Sequence, residues 1–183
     1  IYVVRKDAPY DRLQDLRGED MMFTSTTSTS GYVMAYSRLV NEGILEKGED
    51  PDNFFGEVGF AGGYDRALLA VLNGDADVCA VSYYTMEGPK ADLYLEAAQR
   101  EQLRVLTRTP SVPTHLVAVR ESLDSETKEA LKDALLILSK ENPELIADVY
   151  GAAEFREVDE DEHIAAAVEA MENTGLSPTN LVK

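Results

Sequence analysis

Between a strand-like Met21-Met22-Phe23 and an apolar-periodic stretch beginning at Gly31 lies Thr24-Ser25-Thr26-Thr27-Ser28-Thr29-Ser30-Gly31-Tyr32, and this transition constrains the fold more than any other part of the chain. A strand, a short polar turn and a helix N-terminus in direct succession is the unit from which open α/β sheets are built, and such sheets collect their ligands at that junction. Val33, Tyr36, Leu39 and Val40 recur at helical spacing and predict a helix over residues 31–41. Its first N–H groups have no partner within the helix, and its dipole places partial positive charge behind them. One hydroxyl suffices to cap such a helix. Ser25, Thr26, Thr27, Ser28, Thr29 and Ser30 supply a surplus, which favours a cradle for an oxyanion that needs no Lys or Arg.

The same alternation continues along the chain. Strands are predicted at residues 1–5, 21–24, 55–60, around Cys79, and at 103–106 and 116–119, with an amphipathic turn over 10–17 ending at Gly18. A polar loop spans 46–53, Gly62-Gly63 breaks the third strand, and a helix over 65–73 stops at Asn73-Gly74-Asp75. Residues 83–102 have mostly helical character. Strands alternating with helices predict an α/β fold with a mainly parallel sheet. The tail differs, with helices expected at 125–139, 143–150 and 160–173 and strand character only at 154–158. The first of these starts at Asp124-Ser125-Glu126 and is expected to bury Leu131, Leu135 and Leu138.

Composition narrows the function classes. The 183 residues are 44% hydrophobic, which is enough for one generous domain or two small ones. A net charge of -17 argues against a nucleic acid or an anionic membrane surface as partner, since both require clustered Lys and Arg. It leaves room for a small anion held by local N–H donors. The densest acidic patch, residues 157–162, suits a solvated helix start. The single Cys79 lies in the apolar run Ala76-Asp77-Val78-Cys79-Ala80-Val81, where a thiol is a core residue rather than a nucleophile. The chain contains no stretch of transmembrane length and does not open on a signal peptide.

Two other strand ends carry candidate contacts. Tyr64 follows Gly62-Gly63 at a strand-to-helix junction, where its hydroxyl can reach the first cradle, although Gly-Gly also serves as a plain tight turn. Ser82 ends the cysteine strand on the edge where open sheets bind ligands, although Ser is also a common cap there. Catalytic and metal chemistry find little support. His115 and His163 have neither metal-ligand nor nucleophile spacing, and Asp75 and Asp77 do not share a helical face. Gly59-Phe60-Ala61-Gly62-Gly63 matches neither a dinucleotide fingerprint nor a P-loop. No enzyme activity, cofactor or metal is expected.

Four segments together resemble the phosphate/phosphonate/phosphite-type substrate-binding proteins of ABC transporters, which have the periplasmic-binding-protein class II fold. They are Asp15-Leu16-Arg17-Gly18; Ser28-Thr29-Ser30-Gly31-Tyr32; Gly62-Gly63-Tyr64-Asp65 with Leu69-Ala70-Val71-Leu72-Asn73-Gly74-Asp75-Ala76-Asp77; and Leu103-Arg104-Val105-Leu106 leading to Ser111-Val112-Pro113. In that family two lobes close on an oxyanion. The resemblance implies ligand contacts from Ser28, Thr29 and Ser30, with the Gly31 and Tyr32 amides behind them and Tyr64 and Ser82 nearby. The chain departs from the family where Tyr64 replaces a common His, where Ser82 replaces a frequent acid, and where Thr114-His115 replaces Asn-Asp.

The resemblance further implies an α/β lobe over 6–110, with hinge strands and the helical part of the other lobe in 1–5 and 111–183. The family's N-terminal first-lobe strands have no counterpart here. A truncated chain, a missing companion segment or dimerisation through the exposed helix faces is therefore expected. The implied role is an extracytoplasmic, non-catalytic solute-binding component delivering a phosphonate, phosphate or phosphite to a membrane permease. A ligand-sensing domain of a membrane receptor is the alternative.

Overall fold

The computed structural model describes residues 1–112 and 115–177; Pro113 and Thr114, named above with the hinge and the family departures, lie outside this range. One compact unit comprises Ile1–Val112 with Ala165–Lys183, and a second comprises Pro113–Ile164.

The first unit is built on five strands, β1 (Tyr2–Arg5), β2 (Met21–Phe23), β3 (Val58–Phe60), β4 (Val78–Ala80) and β5 (Leu103–Thr107), in the order β3-β2-β4-β1-β5. β2 runs parallel to both β3 and β4. β1 runs antiparallel to β4 and β5, so the sheet is mixed rather than mainly parallel. The α/β class holds; the direction of β1 is what the sequence pattern misses, because alternation of buried residues is the same in either direction. Residues 2–5 therefore sit inside the sheet, between β4 and β5.

Period-two alternation splits the core into two layers. Tyr2, Val4, Met21, Phe23, Val78 and Ala80 pack with Tyr36 and Leu39 of α1 (Met34–Asn41) and with Leu13, Leu16, Phe54 and Phe55. Val3, Cys79 and Val81 pack on the opposite face with Ala67, Leu68 and Val71 of α2 (Tyr64–Asn73) and with Leu95 and Leu103. Gly74 ends α2 in the left-handed conformation at φ 80°, as the Asn-Gly signal predicts. The helical stretch expected over 83–102 is broken at Gly88-Pro89 into α3 (Tyr84–Glu87), a 3-10 turn (Ala91–Leu93) and α4 (Ala97–Arg100).

The second unit contains α5 (Ser125–Glu141) and α6 (Pro143–Tyr150), and α7 (Glu160–Thr174) crosses the boundary between the units. Asp124 caps α5 by accepting from the Thr127 N–H and hydroxyl, each at 2.8 Å. The strands expected at 116–119 and 154–158 do not form. Leu131, expected inside, is 44% exposed, and Leu135 and Leu138 are only half-buried. At the far end of α7, Ala170 packs with Val33 and Met34, so these last turns belong to the unit that carries the hydroxyl run. This return depends on long-range packing that residue order does not show.

Candidate oxyanion-binding site

Three adjacent parallel strands, β3, β2 and β4, end on the same edge of the sheet, and each of the expected site segments follows one of them. The hydroxyl run follows β2, Gly62-Gly63-Tyr64 follows β3, and Ser82 follows β4. Pairing continues past the strands, with the Ala61 N–H donating to the Phe23 carbonyl and the Gly62 N–H to the Thr24 carbonyl. That extension draws two loops together which lie more than thirty residues apart in sequence.

After β2 the chain enters a π-helical turn, Thr29–Val33, that runs directly into α1. Ser28 is its cap: its Oγ accepts from the Gly31 N–H at 3.0 Å, and its carbonyl accepts from the Tyr32 N–H at 3.0 Å and the Val33 N–H at 3.1 Å. The Gly31 and Tyr32 amides, expected behind the ligand, are thus engaged by Ser28 within the turn. Among the described residues, the backbone N–H groups of Thr29 and Ser30 have no acceptor. They are the unpaired donors of this helix start.

Gly31 is required on steric grounds. A Cβ there would lie 1.9 Å from Thr24 Oγ1. The Thr24 hydroxyl is itself buried and without a hydrogen-bond partner, immediately behind the cradle. Burying an unpaired hydroxyl is costly, and unpaired groups of this kind concentrate at functional sites.

The side chains converge as the strand order requires. The Ser30 Oγ lies 2.8 Å from the Tyr64 hydroxyl, and the Ser28 Oγ lies 3.5 Å from it. The Tyr64 ring meets Tyr84 edge-on at 5.9 Å and Tyr94 at 6.2 Å, and Tyr84 and Tyr94 are 5.7 Å apart. Burial pushes the Tyr84 phenol far up; the nearby Tyr64 and Tyr94 phenols add to this, while a hydrogen bond with Ser82 pulls it back somewhat. Tyr84 therefore stays protonated, and its ring packs edge-on against Tyr64. The Ser82 carbonyl also starts α3, accepting from the Thr85 N–H at 3.1 Å and its hydroxyl at 2.7 Å.

Tyr32 has a different place. Its ring stands edge-on to Phe23 at 5.0 Å and to Phe60 at 5.2 Å, and burial, then the Asp50 charge, raises its phenol. It walls the core beneath the cradle. Tyr84 and Tyr94 pack on Tyr64 without having been singled out from the sequence; the available signal was the position of Tyr84 just beyond β4. Among the described residues, no group of three or more His, Cys, Asp or Glu side chains is arranged to hold a metal. Asp77, set aside above as an acid–base candidate, has a structural contact, its carboxylate accepting from the Asp20 N–H at 2.9 Å.

A sequence model of the phosphonate ABC transporter periplasmic substrate-binding proteins matches residues 1–163. The chain belongs to this family. It is 29% identical to the phosphate-import protein PhnD of Mycolicibacterium smegmatis over 125 residues, 66% of this chain and 37% of that protein. Among solved structures it is similar to XAC2383 from Xanthomonas citri bound to ATP, with TM-score 0.78, 22% identity, and coverage of 94% of this chain and 66% of that one. PhnD1 from Prochlorococcus marinus in complex with methylphosphonate gives TM-score 0.69 at 18% identity, covering 93% of this chain and 64% of that one. These likenesses confirm the periplasmic-binding-protein fold. The chain spans little more than a third of the curated relative and under two thirds of the XAC2383 and PhnD1 structures.

Proposed function

We propose that this chain carries the oxyanion-gripping part of the solute-binding component of an ABC importer, taking a phosphonate, phosphate or phosphite. The observation that carries the proposal is the convergence of Ser28, Ser30 and Tyr64 at the N-terminus of a helix whose Thr29 and Ser30 amides have no acceptor among the described residues. Amides and hydroxyls fixed in advance hold an oxyanion without paying to reorganise water around it, and each hydrogen bond to a charged oxygen is stronger than one to a neutral acceptor. Ser28, Thr29, Ser30 and Tyr64 form the grip, with Gly31 permitting the tight turn, Tyr84 packed on Tyr64, Ser82 at the adjacent strand end and Tyr32 shaping the wall. Family membership supports this class of ligand, a membrane permease as partner and an extracytoplasmic location. Among the described residues no helix is long and apolar enough to cross a membrane. The role is binding rather than turnover.

Calorimetry with phosphate, phosphite and methylphosphonate tests the proposal. Saturable heat with at least one is expected, and Ser28→Ala and Thr29→Ala are each expected to weaken it by about 1–3 kcal/mol. No binding of any of the three, or unchanged affinity in both variants, removes the cradle from the function.

A further inference from the structure

A chain of tyrosine rings adjoins the cradle. From the Tyr64 hydroxyl, 2.8 Å from Ser30, the rings run through Tyr84 at 5.9 Å to Tyr83, which meets Tyr84 at 6.0 Å and 74°; Tyr94 buttresses both Tyr64 and Tyr84. Tyr83 is 59% exposed, the most open aromatic ring among the large hydrophobic residues of the described structure. An isolated exposed aromatic is ordinary. Here the exposed ring is the outer member of a packed edge-to-face series whose inner member bonds the anion cradle.

Resting on the proposed oxyanion grip, the geometry points to a ligand whose head group carries a planar aromatic substituent, an aryl group or a nucleobase, packed against the tyrosine series. Tyr64 and Tyr94 also pack on the core, but the exposed face of Tyr83 has no partner that bare phosphate could supply. A flat group joined to the head by a short link extends from the Ser30–Tyr64 bond along Tyr84 toward the Tyr83 face. Tyrosine suits the task because it offers broad apolar area with only two side-chain torsions to fix. Edge-to-face packing holds Tyr84 in place, so the outer ring is supported from behind. The specificity-determining residue is Tyr83, with Tyr84 positioning it.

Calorimetry on the protein with methylphosphonate, phenylphosphonate and adenosine monophosphate separates the possibilities. Phenylphosphonate is expected to bind at least about fivefold tighter than methylphosphonate, the scale of a single aromatic stacking contact. Tyr83→Ala is expected to bring that ratio toward one, and Tyr83→Phe to keep it, because the ring rather than the hydroxyl does the packing. Adenosine monophosphate binding tighter than phenylphosphonate identifies a nucleobase, and the reverse identifies an aryl group. Methylphosphonate binding with no gain for either aromatic ligand, or a gain that survives Tyr83→Ala, overturns this inference and leaves the oxyanion grip standing. Absence of binding by all three overturns both.

Discussion

The hydroxyls of Ser30 and Tyr64 meet at 2.8 Å although 34 positions separate them in the chain, and this bond joins the loop after β2 to the start of α2. Tyr64→Phe removes the hydroxyl while keeping the ring that packs on Tyr84 and Tyr94. Thermal stability is expected to change little, whereas methylphosphonate affinity falls about fivefold or more, the worth of one hydrogen bond. Calorimetry beside a melting curve distinguishes the two effects; equal affinity would show that Tyr64 only packs.

Gly31→Ala brings a methyl group to within 1.9 Å of Thr24 Oγ1 and 2.9 Å of Ser28 Oγ. The loop has to shift, at an expected loss of about 1–3 kcal/mol in denaturant unfolding. Wild-type stability for this variant would mean that the turn is more loosely packed than described.

Thr24→Val is the converse case. Its hydroxyl is buried with no partner, so an isosteric methyl removes a desolvated polar group and costs no hydrogen bond. Stability is expected to stay level or rise by about 1 kcal/mol. A clear loss in urea unfolding would reveal a partner for Thr24.

Cys79 is completely buried in β4, and burial pushes its thiol up far beyond the physiological range. The native protein is expected to resist a thiol-specific chromogenic reagent, and to react fully once unfolded in guanidinium. Rapid labelling without denaturant would contradict the packing of the α2 face of the sheet.

Asp124 gives a pH signature outside the cradle. Hydrogen bonds from the Thr127 amide and hydroxyl hold its carboxyl below the ordinary aspartate value. A depressed folded-state value means that the cap is intact above the unfolded-state value and is lost as pH falls through the folded one. Acidification should therefore release the Thr127 amide in step with Asp124 protonation, visible by NMR. A Thr127 shift independent of that titration would dissociate the cap from the carboxylate.

Much of this was local enough to be written in the residue order. The strand, hydroxyl turn and helix at 21–41 appear where the pattern places them, because hydrophobic periodicity and capping act over a few neighbouring residues. Asn73-Gly74 stops α2 for the same reason, and Cys79 is buried because its strand is apolar throughout. The run Tyr83-Tyr84 was visible as well, but nothing local tied it to Ser30. The strands expected at 116–119 and 154–158 show the opposite error, since short apolar runs form strands only when a neighbour supplies the ladder.

Residue order therefore settled which segments bury which faces and where a helix start offers its donors. Tertiary structure alone decided that β1 enters the sheet antiparallel, that the last turns of α7 return to Val33 and Met34, and that Tyr64 meets Ser30 with Tyr84 packed against it. Periodicity records the burial of each segment but not its neighbours. Strand order and direction emerge only when the whole chain competes for the same two core layers, and that competition set Tyr64 against a hydroxyl-rich helix cap.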